Sequence, residues 1–359
     1  MPRPKDTPNA LGYIMPAEWE RHEATWLAWP HKLSDWPGKI APIPWVYGEI
    51  IRKIVRSEVV RLLVNSKSHE LKVRRLLTRV GIDLSRIEFL RFPTNRSWMR
   101  DLGPLFVKQR RAKTGPAIVD LHFNGWAKYK DWHKDSTIPT KAARALNCRL
   151  FDARVEGHPF VLEGGSIDVN GAGTVLSTEE CLLDPKIQVR NPSLSQKDIE
   201  AGMLNHLGAK NVIWLGKGIA GDDTHGHIDD FCRFVRRQTV VLCRETNSND
   251  SNYNVLEENY ERLQTARLED GSGVEVVNLP MPAPLYLNGQ RMPASYANFY
   301  ICNDLVLVPT FNDPQDRIAL GIMAELFPDR EVVGIHAVDL VWGLGTIHCL
   351  TQQQPATNT

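Results

Sequence analysis

The 359-residue chain carries 43 Lys+Arg against 42 Asp+Glu, with 42% hydrophobic and 24% charged residues. Charge this close to balance excludes the electrostatic footprint of a nucleic-acid or membrane-surface binder. No apolar run is long enough to span a bilayer, so a soluble globular enzyme or binding protein remains.

Residues MPRPKDTPNALGYIMP have no apolar core of the kind a secretory leader needs. The ends, about 1–10 and 356–359, are polar, and their composition predicts loose packing. Cys148, Cys181, Cys232, Cys243, Cys302 and Cys349 are scattered and form no Cys-x-x-Cys pair. That usage fits reduced thiols in a cytoplasm rather than a disulfide frame or zinc cluster.

In chain order, one unit recurs: an amphipathic helix, a break at Gly, Asn or Pro, then a short apolar strand. The copies are SHELKVRRLLTRVGIDLSRIEFLRF, STIPTKAARALNCRLFDAR, SQKDIEAGMLNHLGAKNVIWLG, NYNVLEENYERLQTARLEDGSGVEVVNL and DRIALGIMAELFPDREVVGIH. Their helices place apolar residues three and four apart, as at Ile199, Met203, Leu204 and Leu207. The strands are β-branched or aromatic runs bounded by Gly, Pro or charge. Between copies, SIDVNGAGTVLST reads as a hairpin turning at its NGAG centre. Phe89, Leu150, Ile213, Val276 and Val333 mark the strands, at a period of roughly 60 residues. No linker divides the series. Five similar α/β units predict a closed ring, which leaves no exposed sheet edge, rather than a doubly wound sheet.

A ring would bring the segments after these strands to one end, near its axis. They are PTNRSWMRDLGP, EGHPFVLEGGS, GKGIAGDDTHGHIDD, PMPAPLYLNGQRMPAS and HAVDLVWGLGTIHCLTQQQ, and four carry carboxylates, histidines or Cys349. Within DDTHGHIDD an extended backbone would turn His225, His227 and Asp229 to one face. Three readings stay open: a His-x-His-x-Asp metal site completed by residues such as Glu163 or His348, a His–Asp catalytic pair, or a polar loop. Arg100 in WMRD suits an ion pair with a distant carboxylate. Glu163 precedes two glycines that let backbone approach closely.

A nucleophilic Cys349 needs thiolate character and a proton-moving partner. Carboxylates around it oppose that, unless the substrate is itself a cation. A guanidinium resolves the conflict, because its planar N–H array suits carboxylates and its carbon is open to attack.

The motifs MPAEWERHEATWLAWP, WMRDLGP, EGGSIDVNGAGTVLSTEECLL, RNPSLS, GHIDD, LVPTFNDPQD and IHCLTQQQP together resemble the agmatine deiminase family, within the guanidino-group-modifying superfamily that includes arginine and peptidylarginine deiminases. The resemblance covers nearly the whole chain. It implies a five-bladed pseudo-symmetric α/β propeller, a single deiminase domain over 1–359, and no metal or cofactor. It implies hydrolysis of agmatine to N-carbamoylputrescine and ammonia, in putrescine synthesis, through a covalent thiouronium. Peptidyl-arginine is the alternative substrate, and a metal-dependent hydrolase the alternative chemistry. Cys349 would be the nucleophile and His227 the general acid and base. Asp101 and Asp229 would grip the guanidinium, Glu163 would support the histidine and substrate, and Trp98 would wall the site. Asp223 falls where relatives use Glu for the distal ammonium, and His225 where they have Asn, which suits a pocket-wall or supporting position. Gly343-Leu344-Gly345-Thr346 replaces a frequent Gly-Gly-Gly-Asn. His348 adjoins the thiol, yet a strand would point it the other way. Cytoplasmic location and a symmetric homodimer complete the expectations.

Overall fold

A computed structural model describes residues 6–109 and 114–357. The five helices of the repeat form at Lys67–Arg79, Ile138–Leu146, Gln196–Leu207, Ser251–Thr265 and Gln315–Leu326. Local chemistry starts and stops them. Ser195 and Asp198 make a reciprocal capping box, and Gly208 closes that helix in the left-handed region. Pro139 stands in the first turn of Ile138–Leu146, and Asn147 ends it with positive φ. Ile199, Met203 and Leu207 are buried, as the spacing predicts.

Each helix crosses between two parallel strands of its own sheet, the connection that parallel pairing requires. Four of the five sheets share one plan, in which a strand pairs antiparallel with a second, which pairs parallel with the strand after the helix; in the other, Val59–Leu63 pairs parallel on both sides, with His22–Ala28 and Ile87–Leu90. The pairs flanking the helices are Val59–Leu63 with Ile87–Leu90, Ala117–Asp120 with Leu150–Asp152, and Thr174–Thr178 with Asn211–Leu215. Thr239–Arg244 with Glu275–Pro280 and Leu305–Thr310 with Glu331–His336 complete the set. The fold is mixed α/β, and all five helix–strand units read from sequence are present. The NGAG hairpin forms too: Asp168–Val169 pairs antiparallel with Thr174–Thr178, and Asn170 Oδ1 accepts from the amides of Ala172, Gly173 and Thr174.

The chain ends join one sheet. Gln352–Pro355 pairs antiparallel with His22–Ala28, so the glutamines after Cys349 are buried ladder residues. Gln353 accepts from Arg100 and Gln354 from Trp26. The expectation of loose ends therefore needs correction where the ends are described. Thr7 is buried, Asn9 donates to the Leu204 carbonyl, and the Ala356 amide donates to Arg21. Residues 1–5 and 358–359 lie outside the described residues. Among the described residues, no helix is long and apolar enough to cross a membrane.

Candidate active site

The segments after the final strands meet. Asp101, on the one-turn helix Met99–Leu102, accepts the Gly165 amide at 2.9 Å from the second segment and the Trp126 indole at 2.9 Å. His227, from the third, brings Nδ1 to 3.9 Å from Asp101 and from Asp229, and Nε2 to 4.0 Å from Glu163. Cys349, from the fifth, lies 3.8 Å from Asp229 Oδ2. All of these side chains are buried. Trp98, Asp101, Trp126, Tyr129, Asp223 and Cys349 line one pocket of about 120 Å³.

Glycines set how closely these walls approach. A Cβ on Gly345 would sit 2.8 Å from Trp98 and 3.2 Å from Cys349 Sγ; one on Gly165 would sit 2.5 Å from His227 Nδ1. Only hydrogen fits there. Trp98 packs against Trp36 with the rings tilted by 32° and 5.2 Å between centroids, which fixes the wall.

The thiol is not at a strand end. His348 and Cys349 share the one-turn helix Ile347–Leu350, so the alternation argument that dismissed His348 does not apply. His348 is hydrogen-bonded through Nδ1 to Asp229 Oδ2 at 2.6 Å and through Nε2 to Glu18 Oε2 at 2.9 Å. It thereby holds one oxygen of Asp229, while Oδ1 has no hydrogen-bond partner and is buried. His227 Nε2 is likewise unpaired. Buried polar atoms call for partners, and these two belong to the groups gathered around the thiol. Arg100 pairs with Glu18 at 3.2 Å, the distant carboxylate the sequence called for.

The carboxylates are electrostatically unequal. Burial, opposed by His227 but reinforced by Asp229 and Glu163, pushes Asp101 up to about 6. Burial would raise Asp229 too, but the His348 bond and the charges of His348, His227 and Arg233 hold it below the usual carboxylate range. For His227, burial favours the neutral ring, yet Asp101, Cys181 and Asp229 outweigh it and raise the imidazole well above its ordinary value. Burial, then Asp229, Asp230 and Asp101, push the Cys349 thiol well up. A bound cation among these groups would reverse the last effect.

Glu163 meets the Arg190 guanidinium at 3.1 Å, with both side chains fully buried. His225 turns away from His227 and Asp229: with φ of 65°, it places Nε2 3.0 Å from Asp184. The His-x-His-x-Asp face predicted from extended backbone is therefore not assembled, because the left-handed residue breaks the alternation. Glu163, Cys181 and His227 do bring ligand atoms within 4.8 Å of one another, but Arg190 already neutralises Glu163, which disfavours a cation there. Asp223 sits at the pocket rim, bonded to Lys128 at 2.6 Å and the Tyr129 hydroxyl at 2.7 Å.

Sequence reasoning missed Asn298. Its Nδ2 lies 3.2 Å from Cys349 Sγ and 3.0 Å from Asp230. Its Oδ1 accepts from the Thr346 hydroxyl at 2.8 Å and the His348 amide at 3.1 Å. The segment boundary drawn at Ser295 stopped three residues short of it. Trp126 was also missed; the Gly-Trp pair in FNGWAKYK was the available signal.

A buried thiol, an imidazole within reach of the same carboxylates, and an amide donor on the sulfur are the parts that covalent cysteine catalysis requires. The chain belongs to the Porphyromonas-type peptidyl-arginine deiminase family, which it matches over residues 14–355. It is 37% identical to the agmatine deiminase of Stutzerimonas stutzeri (strain A1501), over 98% of this chain and 97% of that one. Its fold is similar to the agmatine deiminase of Enterococcus faecalis, with a TM-score of 0.89 and 32% identity over 98% of each chain. A Cys→Ser variant of the C. jejuni agmatine deiminase with substrate bound is similar as well, with a TM-score of 0.83 and 28% identity over 96% of this chain and 97% of that one.

Proposed function

We propose that the chain hydrolyses agmatine to N-carbamoylputrescine and ammonia, a step toward putrescine, with Cys349 as nucleophile. The observation that carries this reading is the thiol's position among Asp101, Asp229 and His227, supported by whole-length similarity to agmatine deiminases. Asp229 Oδ1 and Asp101 receive the guanidinium N–H groups, and the arriving positive charge lowers the thiol's pKa toward thiolate. The thiol gives up its proton to solvent as the cation docks, and the sulfur attacks the guanidinium carbon. His227, an imidazolium in the free enzyme, gives its proton to the departing nitrogen, and ammonia leaves a thiouronium on Cys349. Neutral His227 then takes one proton from water, whose oxygen attacks the same carbon; the C–S bond breaks, the remaining hydroxyl proton passes to the released sulfur, and the ureido product departs. Glu163 supports His227 from the Nε2 side, and Trp98 closes the pocket. Asp223 takes the distal ammonium.

We read the five sheets as blades of a pseudo-symmetric propeller within one domain spanning 1–359. The strand order common to four of them and the meeting of their loops support it. Six unpaired cysteines suit a cytoplasmic location, and a two-fold homodimer is the commonest assembly for such a protein; sedimentation tests the latter.

Ammonia release with agmatine, free arginine and an N-acyl-arginine amide tests the substrate. Agmatine should be preferred; preference for the acylated arginine would establish the peptidyl-arginine reading instead. Stoichiometric zinc or manganese, with activity lost on chelation, would replace the thiol route by metal-dependent chemistry.

A further inference from the structure

We propose that Lys128 is a specificity-determining residue: in the empty enzyme its ammonium occupies Asp223 in place of the substrate's distal cation, and agmatine must displace it. The inference rests on the reading of agmatine as substrate and of Asp223 as the carboxylate for its amine.

The turn Gly125–Tyr129 carries the argument. Gly125, Trp126 and Ala127 adopt positive φ in succession, at 72°, 57° and 51°. Two consecutive left-handed residues with side chains are costly, and such runs persist where the surroundings enforce them. Here the Gly125 carbonyl accepts from Lys128 and Tyr129 amides, and Asn124 Oδ1 accepts from Ala127. The turn serves both ends of the pocket: Trp126 reaches Asp101 at the reacting end, while Lys128 and Tyr129 reach Asp223 at the rim.

Asp223 thus has one oxygen on a cation and the other on a phenol. An incoming ammonium must free one of them. Tyr129 cannot easily move, because the Arg96 guanidinium lies over its ring at 4.1 Å and is itself held by Asp35 and Asp131. Lys128 can: its side chain is 40% exposed, and partly exposed ion pairs are weak. Swinging the lysine into water releases Oδ1, at a cost that agmatine bears and a guanidine without a distal charge does not.

The experiment compares KM for agmatine and for 1-butylguanidine, which has the same reacting group and no distal cation, in the parent, Lys128→Met, Lys128→Arg and Asp223→Asn proteins. Lys128→Met should lower the agmatine KM about two- to fivefold and leave that of butylguanidine in place. Lys128→Arg, which keeps the charge, should stay near the parent, and Asp223→Asn should raise the agmatine KM alone. An agmatine KM that is unchanged or raised in Lys128→Met, or that moves together with that of butylguanidine, overturns the inference. A parent enzyme that releases no ammonia from agmatine defeats the function reading itself.

Discussion

Asn298→Ala tests how the thiol is prepared. The amide lies 3.2 Å from the sulfur, while its carbonyl gathers the Thr346 hydroxyl and the His348 amide. A hydrogen bond to a charged acceptor contributes about 1.5–3 kcal/mol. If that bond is made to the thiolate during attack, its loss lowers kcat/KM by roughly 10- to 150-fold. Asn298→Asp keeps the shape but puts another carboxylate beside Asp229 and Asp230, so it should push the thiol further up and cost more. Ammonia release gives the rate, and the pH dependence of iodoacetamide alkylation of Cys349 reports the sulfur directly. Both variants should alkylate only at higher pH than the parent. Activity within twofold of the parent, with an unmoved alkylation profile, would refute the argument.

Four other outcomes are expected. In the proposed mechanism Asp101 must be ionised to hold the guanidinium, and its carboxyl is pushed up to about 6, so kcat/KM should fall as pH drops through that value. In the proposed mechanism His227 must be protonated to release ammonia; being raised, it should place the alkaline limb of the same profile above the ordinary imidazole range. Gly345→Ala puts a methyl 2.8 Å from Trp98 and 3.2 Å from Cys349 Sγ, and activity should drop by about 100-fold or more with unchanged circular dichroism. Arg190→Met leaves the buried Glu163 charge unpaired, which should destabilise the fold by about 3–5 kcal/mol in thermal or denaturant melts.

Much of the architecture is local in origin and was therefore legible. Amphipathic spacing at Ile199, Met203 and Leu207 and the breaks at Gly208 and Asn147 mark the helices that form. The constant period told which loops would meet, and Asp101, Glu163, His227, Asp229 and Cys349 do. What escaped depends on contacts across the chain. Asn298 is an ordinary polar residue until Cys349, 51 positions away, comes beside it. His348 looked misdirected under strand alternation, but a single helical turn places it on Asp229 and Glu18. His225 was grouped with His227 by spacing alone, and one left-handed residue separates them. Asp223 was assigned from its motif; that its carboxylate is already engaged by Lys128 and Tyr129 was not visible.

The central claim is that Cys349 bonds covalently to the guanidinium carbon. Acid-quenching the enzyme during turnover of agmatine, followed by intact-mass and peptide mass spectrometry, examines it directly. An adduct on the Cys349 peptide with the mass of agmatine less ammonia, absent from Cys349→Ser, is expected. Undiminished ammonia release by Cys349→Ser, with no adduct in the parent, would contradict it.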